Sequence, residues 1–278
     1  MERFADRWRS TEPEFRALLE RIPLLATPPL PPEWLRCEML ERHELLRRAS
    51  VSAGAMVLEV GTGGHAISTV PLAHAVGREG RVLAVERSRW GQFREIVAAS
   101  GLGGTIAPVT ADAGHLPFRD SAVDLAVCLH GLRSLRGEEN TVRVCREMLR
   151  TAPRILLAES LPIGRTPAQR AHLAMYDLRE EVLAATLGAP DDLHYRPLDA
   201  LESLVERAGG RVEWSETVEV DLPHFLAYFP RSLVERIPEE RTRTDLLRRW
   251  DDADVILKKH GEDHPPVGLI GASRAVQS

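Results

Sequence analysis

An apolar run that passes through an acid into a cluster of glycines constrains this chain most. Val57–Val60 has the character of a buried strand and carries Glu59 near its end. Glycines then occupy positions 61, 63 and 64, and a helical pattern opens at about His65. Glycine tolerates a positive φ and lets a ligand approach the backbone. The run therefore predicts a strand, a ligand-binding turn and a helix, as in nucleotide-binding α/β folds.

Acidic residues also stand at the ends of the next two predicted strands. Glu86 ends the second apolar run, 25 residues after Gly61, and Asp112 follows the third. In nucleotide-binding α/β folds, an acid at the end of the second strand binds ribose hydroxyls. A fourth apolar run leads to His130. Strands and helices alternate along this region, which favours a parallel sheet with helices on both faces.

The boundaries of the predicted elements follow from the apolar periodicity and from the glycines and prolines. Strands are predicted near 56–60, 81–85, 105–110, 123–129, 154–159, 212–220 and 267–273. The main helices are predicted near 33–49, 65–76, 89–100, 138–150, 167–187 and 198–208. Because Pro71 interrupts the second of these, a kink is expected there.

This ordered set of motifs resembles the class I S-adenosylmethionine-dependent methyltransferases over roughly Val57–Gly210. Within that family, the chain is similar to the ubiquinone/menaquinone C-methyltransferase branch and its small-molecule relatives. The segments that carry the similarity are Asp112–Phe118, His130–Ser134, Arg146–Leu149 and Ile155–Ser160. The branch usually has a Lys-Pro-Gly-Gly turn before its fifth strand, where this chain has Leu149–Pro153.

The resemblance implies an α/β fold with a Rossmann-like, seven-stranded and mostly parallel sheet. We expect residues 1–50 to form an N-terminal helical lid and residues 51–278 the S-adenosylmethionine-binding domain. Helical insertions are expected at about 161–197 and 221–266. The lid and the first insertion are predicted to close over the methyl group. The second insertion is predicted at the far end of the sheet or in an oligomer contact.

The resemblance also implies where the cofactor binds. Glu59 would contact the methionine part of S-adenosylmethionine and Glu86 the ribose. Asp112, with the amide of Ala113, would meet the adenine. Further cofactor contacts are expected at Gly61, Thr62, Gly63, His65, Arg87 and Leu129.

Candidate acceptor-binding residues lie beyond the cofactor motifs. His130 follows the fourth strand, at the edge where open α/β sheets bind ligands, and an imidazole suits a general base near neutral pH. We predict that His130 is catalytic and lines the acceptor site together with His172, Tyr176 and Tyr195; His194 is a further candidate. No metal site is expected, because three scattered cysteines do not form a zinc motif.

The predicted activity is in-line methyl transfer to a small molecule, with a carbon, oxygen, nitrogen or sulfur acceptor atom left open. A cofactor-binding protein that acts as a non-catalytic or regulatory partner is the alternative. A nicotinamide-dependent oxidoreductase would need a Tyr-x-x-x-Lys pair or a comparable set. The only lysines, Lys258 and Lys259, do not follow a tyrosine at that spacing.

Charge and hydropathy limit the partners that we expect. The net charge is -5, and there is no basic stripe of the kind that binds nucleic acid. No signal peptide or long apolar span occurs, which predicts a cytoplasmic protein without a membrane span. A homodimer is left open.

Overall fold

The computed structural model describes residues 2–24, 33–88, 90–187, 195–224 and 229–275. One seven-stranded sheet runs through them. Its strands are β1 Met56–Val60, β2 Arg81–Glu86, β3 Ile106–Thr110, β4 Leu125–Leu129, β5 Arg154–Ser160, β6 Gly210–Val218 and β7 Val267–Arg274. Their order across the sheet is β3-β2-β1-β4-β5-β7-β6. All neighbours are parallel except β7, which is antiparallel to β5 and β6. The predicted fold class is confirmed.

Helices cover both faces of the sheet. They are α1 Glu2–Ser10, α2 Pro13–Arg21, α3 Trp34–Arg48, α4 Thr69–Val76, α5 Gly91–Ser100, α6 Glu138–Thr151, α7 Pro167–Leu187, α8 Leu198–Arg207 and α9 Glu240–His260. Short 3-10 turns occupy Leu132–Ser134 and Arg231–Arg236. The kink predicted at Pro71 is wrong. Because α4 begins at Thr69, the proline lies in the first turn, where a helix needs no N–H donor.

The apolar side chains divide into two clusters, one on each face of the sheet. Phe15 and Leu45 pack with Val57 on the face covered by the N-terminal helices and α4. Leu58 packs with Met148 on the face covered by α6 and α8. Strands buried on both faces have continuous apolar sequences instead of alternating ones. This burial explains why the strands were predictable from short apolar runs.

The N-terminal helices belong to the same core as the sheet. Phe15 and Leu19 of α2 are completely buried, and α3 buries ten of its side chains against the rest of the protein. A boundary at residue 50 and a role as a lid stay predictions. In this structure, the packing places α3 beside the carboxyl edge of the sheet.

A third apolar cluster joins the two predicted insertions. Met175 and Leu178 of α7 pack against Leu246 and Trp250 of α9. The prediction places residues 221–266 at the far end of the sheet or in an oligomer contact, but α9 of this segment packs on α7 of the first insertion. Most charged positions of α9 face outward, with the exception of the buried Asp254, and its apolar positions recur at helical spacing and hold it on α7. No helix within the described ranges is both long and apolar enough to cross a bilayer.

The turn after β1 and the turn after β4 approach each other closely. Gly61 has a φ of 77°, and a Cβ on it would come within 3.6 Å of the Cα of Gly131. A Cβ on Gly131 would lie 2.6 Å from the Cys128 sulfur and 3.3 Å from the carbonyl oxygen of Val60. Only a residue without a side chain lets the two turns meet in this way.

We expect Gly131→Ala to lower the free energy of unfolding by about 1–3 kcal/mol, because the new methyl group overpacks a buried junction. Urea denaturation measures the change. Gly104→Ala is the matched control, since a Cβ there meets no atom within 4 Å. Equal stability of the two variants would show that the junction between the turns tolerates a side chain.

Candidate active site

The glycine turn is held against the end of β2. Gly61 and Gly63 both have left-handed backbone, with φ of 77° and 68°. The amide of Gly63 donates to Glu86 Oε2 at 3.2 Å, and the amide of Arg87 donates to Glu86 Oε1 at 2.8 Å. The acid after the second strand therefore lies at the glycine turn. This is the arrangement that the spacing of the two motifs predicts.

Glu59 lies beneath the turn in a fully enclosed position. Thr69 at the start of α4 donates its hydroxyl to Glu59 Oε2 at 2.6 Å. The other carboxyl oxygen is buried and has no hydrogen-bond partner among the described atoms. Burial raises the pKa of Glu59 to about 7, against the lowering effect of the Thr69 hydrogen bond. An unpartnered buried oxygen favours a ligand that supplies an amine or a hydroxyl.

The remaining predicted cofactor residues follow the same edge of the sheet. Asp112 is exposed after β3 and accepts a hydrogen bond from the amide of Gly114 at 2.7 Å, beside Ala113. Leu129 ends β4 and is buried, and Thr62 is buried within the turn. The ring of His65 meets the ring of Trp34 edge-on, with centroids 5.2 Å apart. The contacts of all these residues with a cofactor stay predictions.

His130 is buried at the end of β4 with left-handed backbone, at a φ of 56°. Its Nε2 lies 3.0 Å from Glu41 Oε1, and its Nδ1 lies 3.3 Å from the Ser160 hydroxyl. Burial, with a further contribution from Arg42, lowers the pKa of His130 well below its usual value. The imidazole is therefore neutral at physiological pH. A non-glycine residue in this conformation costs free energy, and such residues concentrate at functional sites.

Helix α3 supplies three charged residues that the sequence did not single out. Glu38, Glu41 and Arg42 are each no more than 3% exposed. Arg42 Nη1 contacts Glu41 Oε2 and also lies 3.3 Å from Glu38 Oε2. Their spacing puts them on one helical face. A face that combines two acids with an arginine has the pattern of a solvated surface, which is why it was missed.

Two further histidines come from the segment after β6. His224 Nδ1 lies 2.7 Å from Glu38 Oε1, and His264 Nδ1 lies 2.7 Å from the carbonyl oxygen of Pro265. The two rings are 4.4 Å apart, and the His264 ring is 5.5 Å from that of His130. This geometry corrects the placement of residues 221–266 at the far end of the sheet. Part of that segment forms a wall of the site.

The residues predicted to line the acceptor site do come together. His172 Nδ1 lies 2.8 Å from Glu262 Oε1, and its Nε2 lies 2.8 Å from the Tyr195 hydroxyl. Tyr176 stacks on Tyr195 with centroids 4.0 Å apart. The His172 ring is 4.7 Å from the ring of His224. His224 lies beside His264, whose ring is next to that of His130, so the group is joined to His130 through these two histidines. His194 lies outside the described residues.

We call this set the buried polar cluster. Its members, drawn from α3, α7 and five loops or strand ends, are Glu38, Glu41, Arg42, His130, Ser160, His172, Tyr195, His224, Glu262 and His264. Imidazole, carboxylate and hydroxyl groups that are shielded from water can orient a polar ligand, exchange protons with it or hold a cation. Along α3, the first member of the cluster, Glu38, comes about one turn after Trp34, which contacts His65 of the glycine turn.

The buried carboxyl of Glu59 generates a prediction about pH. An acid whose pKa is higher in the folded state destabilises the folded state as pH rises from the unfolded to the folded value. For Glu59 this window runs from about 4.5 to about 7. We expect Glu59→Gln to leave the cofactor-free protein nearly unchanged at the acid end. Above the window it should become more stable than wild type, by a difference on the order of 3 kcal/mol or less.

Urea denaturation across this pH range measures the difference between the two proteins. The exposed Glu95 provides the matched control, since Glu95→Gln removes a carboxylate that is in contact with water. A Glu59→Gln difference that does not change with pH would show that the carboxyl is solvated in solution.

Comparison with known sequences gives one domain family. Residues 58–154 match the family described as a methyltransferase domain. The ubiquinone/menaquinone biosynthesis C-methyltransferase UbiE of Idiomarina loihiensis is 25% identical over 183 residues, which is 60% of this chain and 72% of that protein. UbiE of Pseudomonas fluorescens is 31% identical over 124 residues. That match spans 42% of this chain and about half, 48%, of the relative.

Solved structures share the fold at low sequence identity. A cyclopropane-fatty-acyl-phospholipid synthase-like protein from Lactobacillus casei has a TM-score of 0.74 at 17% identity and covers 95% of this chain and 100% of its own. The [4+2]-cyclase SpnF has a TM-score of 0.56 at 16% identity and covers 86% and 82%. Since these two proteins are named for different reactions, the fold alone does not fix the chemistry. The methyltransferase domain matched at residues 58–154, the relatives and the order of the strands together support a class I S-adenosylmethionine-dependent methyltransferase, with S-adenosylmethionine as the cofactor.

Proposed function

We propose that this protein transfers the methyl group of S-adenosylmethionine to a small molecule held at the buried polar cluster. One observation carries the proposal. The hydrogen bond from the Gly63 amide to Glu86 joins the glycine turn to the acid at the end of β2. The glycine turn also meets the turn after β4, which begins at His130. The predicted cofactor residues and the predicted acceptor residues thus adjoin at one edge of the sheet.

The residues at the glycine turn would hold the cofactor. Glu59 offers a buried carboxyl oxygen to the methionine part, and Glu86 offers a carboxylate to the two ribose hydroxyls. Asp112 and the amide of Ala113 would meet the adenine. When bound, the cofactor supplies an electrophilic methyl group. The protein then has to place the acceptor atom in line with it, and positioning of this kind accounts for much of the rate.

The acceptor side would be formed by the buried polar cluster. Glu41 orients the His130 ring from one side and Ser160 from the other. His172 and Tyr195 offer a hydrogen-bonded pair across the cluster. Exclusion of water strengthens these polar interactions and protects the sulfonium from side reactions. The enclosure suits a small molecule, in keeping with the resemblance to the ubiquinone/menaquinone branch; a cytoplasmic location and a homodimer stay predictions.

Glu86→Ala should weaken binding of S-adenosylhomocysteine by about tenfold or more. Each charge-assisted hydrogen bond from a ribose hydroxyl contributes on the order of 1.5–3 kcal/mol. Isothermal titration calorimetry gives the dissociation constant. Glu95→Ala removes an exposed acid from the helix that follows the same strand and should bind as wild type. An unchanged constant in a folded Glu86→Ala protein would exclude the ribose contact.

His130→Asn should reduce turnover by about a hundredfold, a loss that a displacement of about 1 Å in the position of the acceptor can cause. Its affinity for S-adenosylhomocysteine should stay within a few fold of wild type. Asparagine tolerates left-handed backbone better than most residues, so the turn after β4 should persist. Release of S-adenosylhomocysteine with a panel of small-molecule acceptors is the measurement.

His74→Asn is the control for the His130 variant, because His74 is half-buried on α4 and packs near Phe15. Normal turnover in His130→Asn would remove His130 from the reaction. Cofactor binding without turnover on any acceptor, in the wild-type protein, would instead support the non-catalytic alternative.

A further inference from the structure

We propose that Glu41, His130 and His264 form a binding site for a divalent first-row transition-metal ion. Glu41 Oε1 lies 3.0 Å from His130 Nε2 and 3.8 Å from His264 Nε2, and all three side chains are at most 2% exposed. An ion with ligand bonds of about 2.1 Å separates adjacent ligand atoms by roughly 3.0–3.4 Å. The Glu41–His130 separation already matches that of metal ligands, the Glu41–His264 separation is slightly longer, and all three atoms lie within 4.8 Å of one another.

The orientation of His264 shows which ring nitrogen is available. Its Nδ1 lies 2.7 Å from the carbonyl oxygen of Pro265, which can only accept, so Nδ1 carries the ring proton. Nε2 then bears a lone pair. In the described part of the chain this atom is buried without a hydrogen-bond partner, and it faces the carboxylate of Glu41. Two acceptors that face each other without a donor repel, and a cation between them would bind both.

The neighbouring groups have the arrangement that supports metal ligands. A ligating histidine usually donates its second ring N–H to a protein acceptor. His264 does so to Pro265, and the Ser160 hydroxyl lies 3.3 Å from His130 Nδ1, in position to accept from it. That tautomer of His130 leaves its Nε2 free to bind the ion beside Glu41 Oε1. Arg42 holds the other oxygen of Glu41.

The type of donor also fits a bound cation. Glu41 offers a carboxylate oxygen, and His130 and His264 offer imidazole nitrogens. Nitrogen and oxygen donors without a thiolate suit ions such as Fe²⁺, Mn²⁺, Co²⁺ and Zn²⁺ better than soft metals.

A second observation comes from the other side of the cluster. His224 Nδ1 lies 2.7 Å from Glu38 Oε1, and within the described ranges its buried Nε2 also has no hydrogen-bond partner. Potential ligand atoms of Glu38, His224 and His264 all lie within 4.8 Å of one another. The rings of His224 and His264 are 4.4 Å apart, so two buried imidazole nitrogens without a hydrogen-bond partner occur in the same part of the cluster, whereas a structural core usually satisfies its buried polar atoms.

The metal site would give the cluster a defined role if the proposed methyl transfer also holds. Three protein ligands leave coordination positions open on such an ion. An acceptor with an oxygen donor could occupy one of them, which would hold its reactive atom toward the cofactor at the glycine turn. This extension rests on the proposed function, whereas the metal site itself does not.

The test is metal binding by the whole chain without cofactor or acceptor. The purified protein is stripped with a chelator and dialysed against Co²⁺, Mn²⁺, Zn²⁺ or, anaerobically, Fe²⁺, and bound metal is measured by mass spectrometry. About one ion per chain should bind at micromolar free metal, and the Co²⁺ form should show visible ligand-field absorption. Glu41→Gln and His264→Asn should each weaken binding by at least about tenfold, since each removes one ligand.

His43→Asn is the matched control, because His43 lies on the same helix and stacks on Phe15 with centroids 4.0 Å apart. It should bind the ion as wild type does. Circular dichroism shows whether each variant is folded. The proposal is overturned if the wild-type protein binds none of these ions at micromolar concentration, or if folded Glu41→Gln and His264→Asn bind them as tightly as wild type. Neither outcome depends on whether the protein transfers methyl groups.

Discussion

The contact between the glycine turn and Glu86 is the constraint on which the rest of this edge of the sheet depends. Left-handed backbone at Gly61 and Gly63 turns the chain sharply after β1 and points the Gly63 amide at the carboxylate. The same turn reaches the loop after β4 only because Gly131 has no side chain. His130 is thereby fixed beside the site predicted for the cofactor.

Helix α3 connects the two halves of the site. Trp34 at its start meets His65 of the glycine turn, and Glu41, two turns later, meets His130. Because the same helix is anchored in the main apolar core, the distance between the two halves is set by packing. A cofactor that binds against His65 would therefore act, through the contact between His65 and Trp34, on the helix that carries Glu38, Glu41 and Arg42.

The buried polar cluster is poorly explained as a device for stability. Burial lowers the pKa of His130, His224 and His264 well below the usual value and keeps all three imidazoles neutral. Replacing buried ionic groups by apolar ones of similar volume is often neutral or stabilising. Two unpartnered imidazole nitrogens add a further cost. Such a cluster is more readily explained by a ligand that it binds.

The sequence was sufficient for the sheet and for the position of the cofactor motifs, and much less so for the acceptor side. Strands β1 to β5 contain short apolar runs, and Glu86 follows Gly61 at a spacing that local geometry and family resemblance both explain. Glu38, Glu41, His224 and His264 carry no such signal. They are separated by up to 226 residues and meet only through tertiary packing, which no local pattern records. Helix α4 was predicted too long because the extended turn before Thr69 resembles a helical stretch.

A crystal structure of the protein with S-adenosylhomocysteine would test the central claim most directly, namely that the cofactor's reactive end faces the buried polar cluster. The predicted result has the ribose at Glu86, the adenine near Asp112 and the sulfur turned toward the loop that begins at His130. A complex in which the sulfur points away from His130, with Glu41, His130 and His264 sealed off from it, would contradict the account.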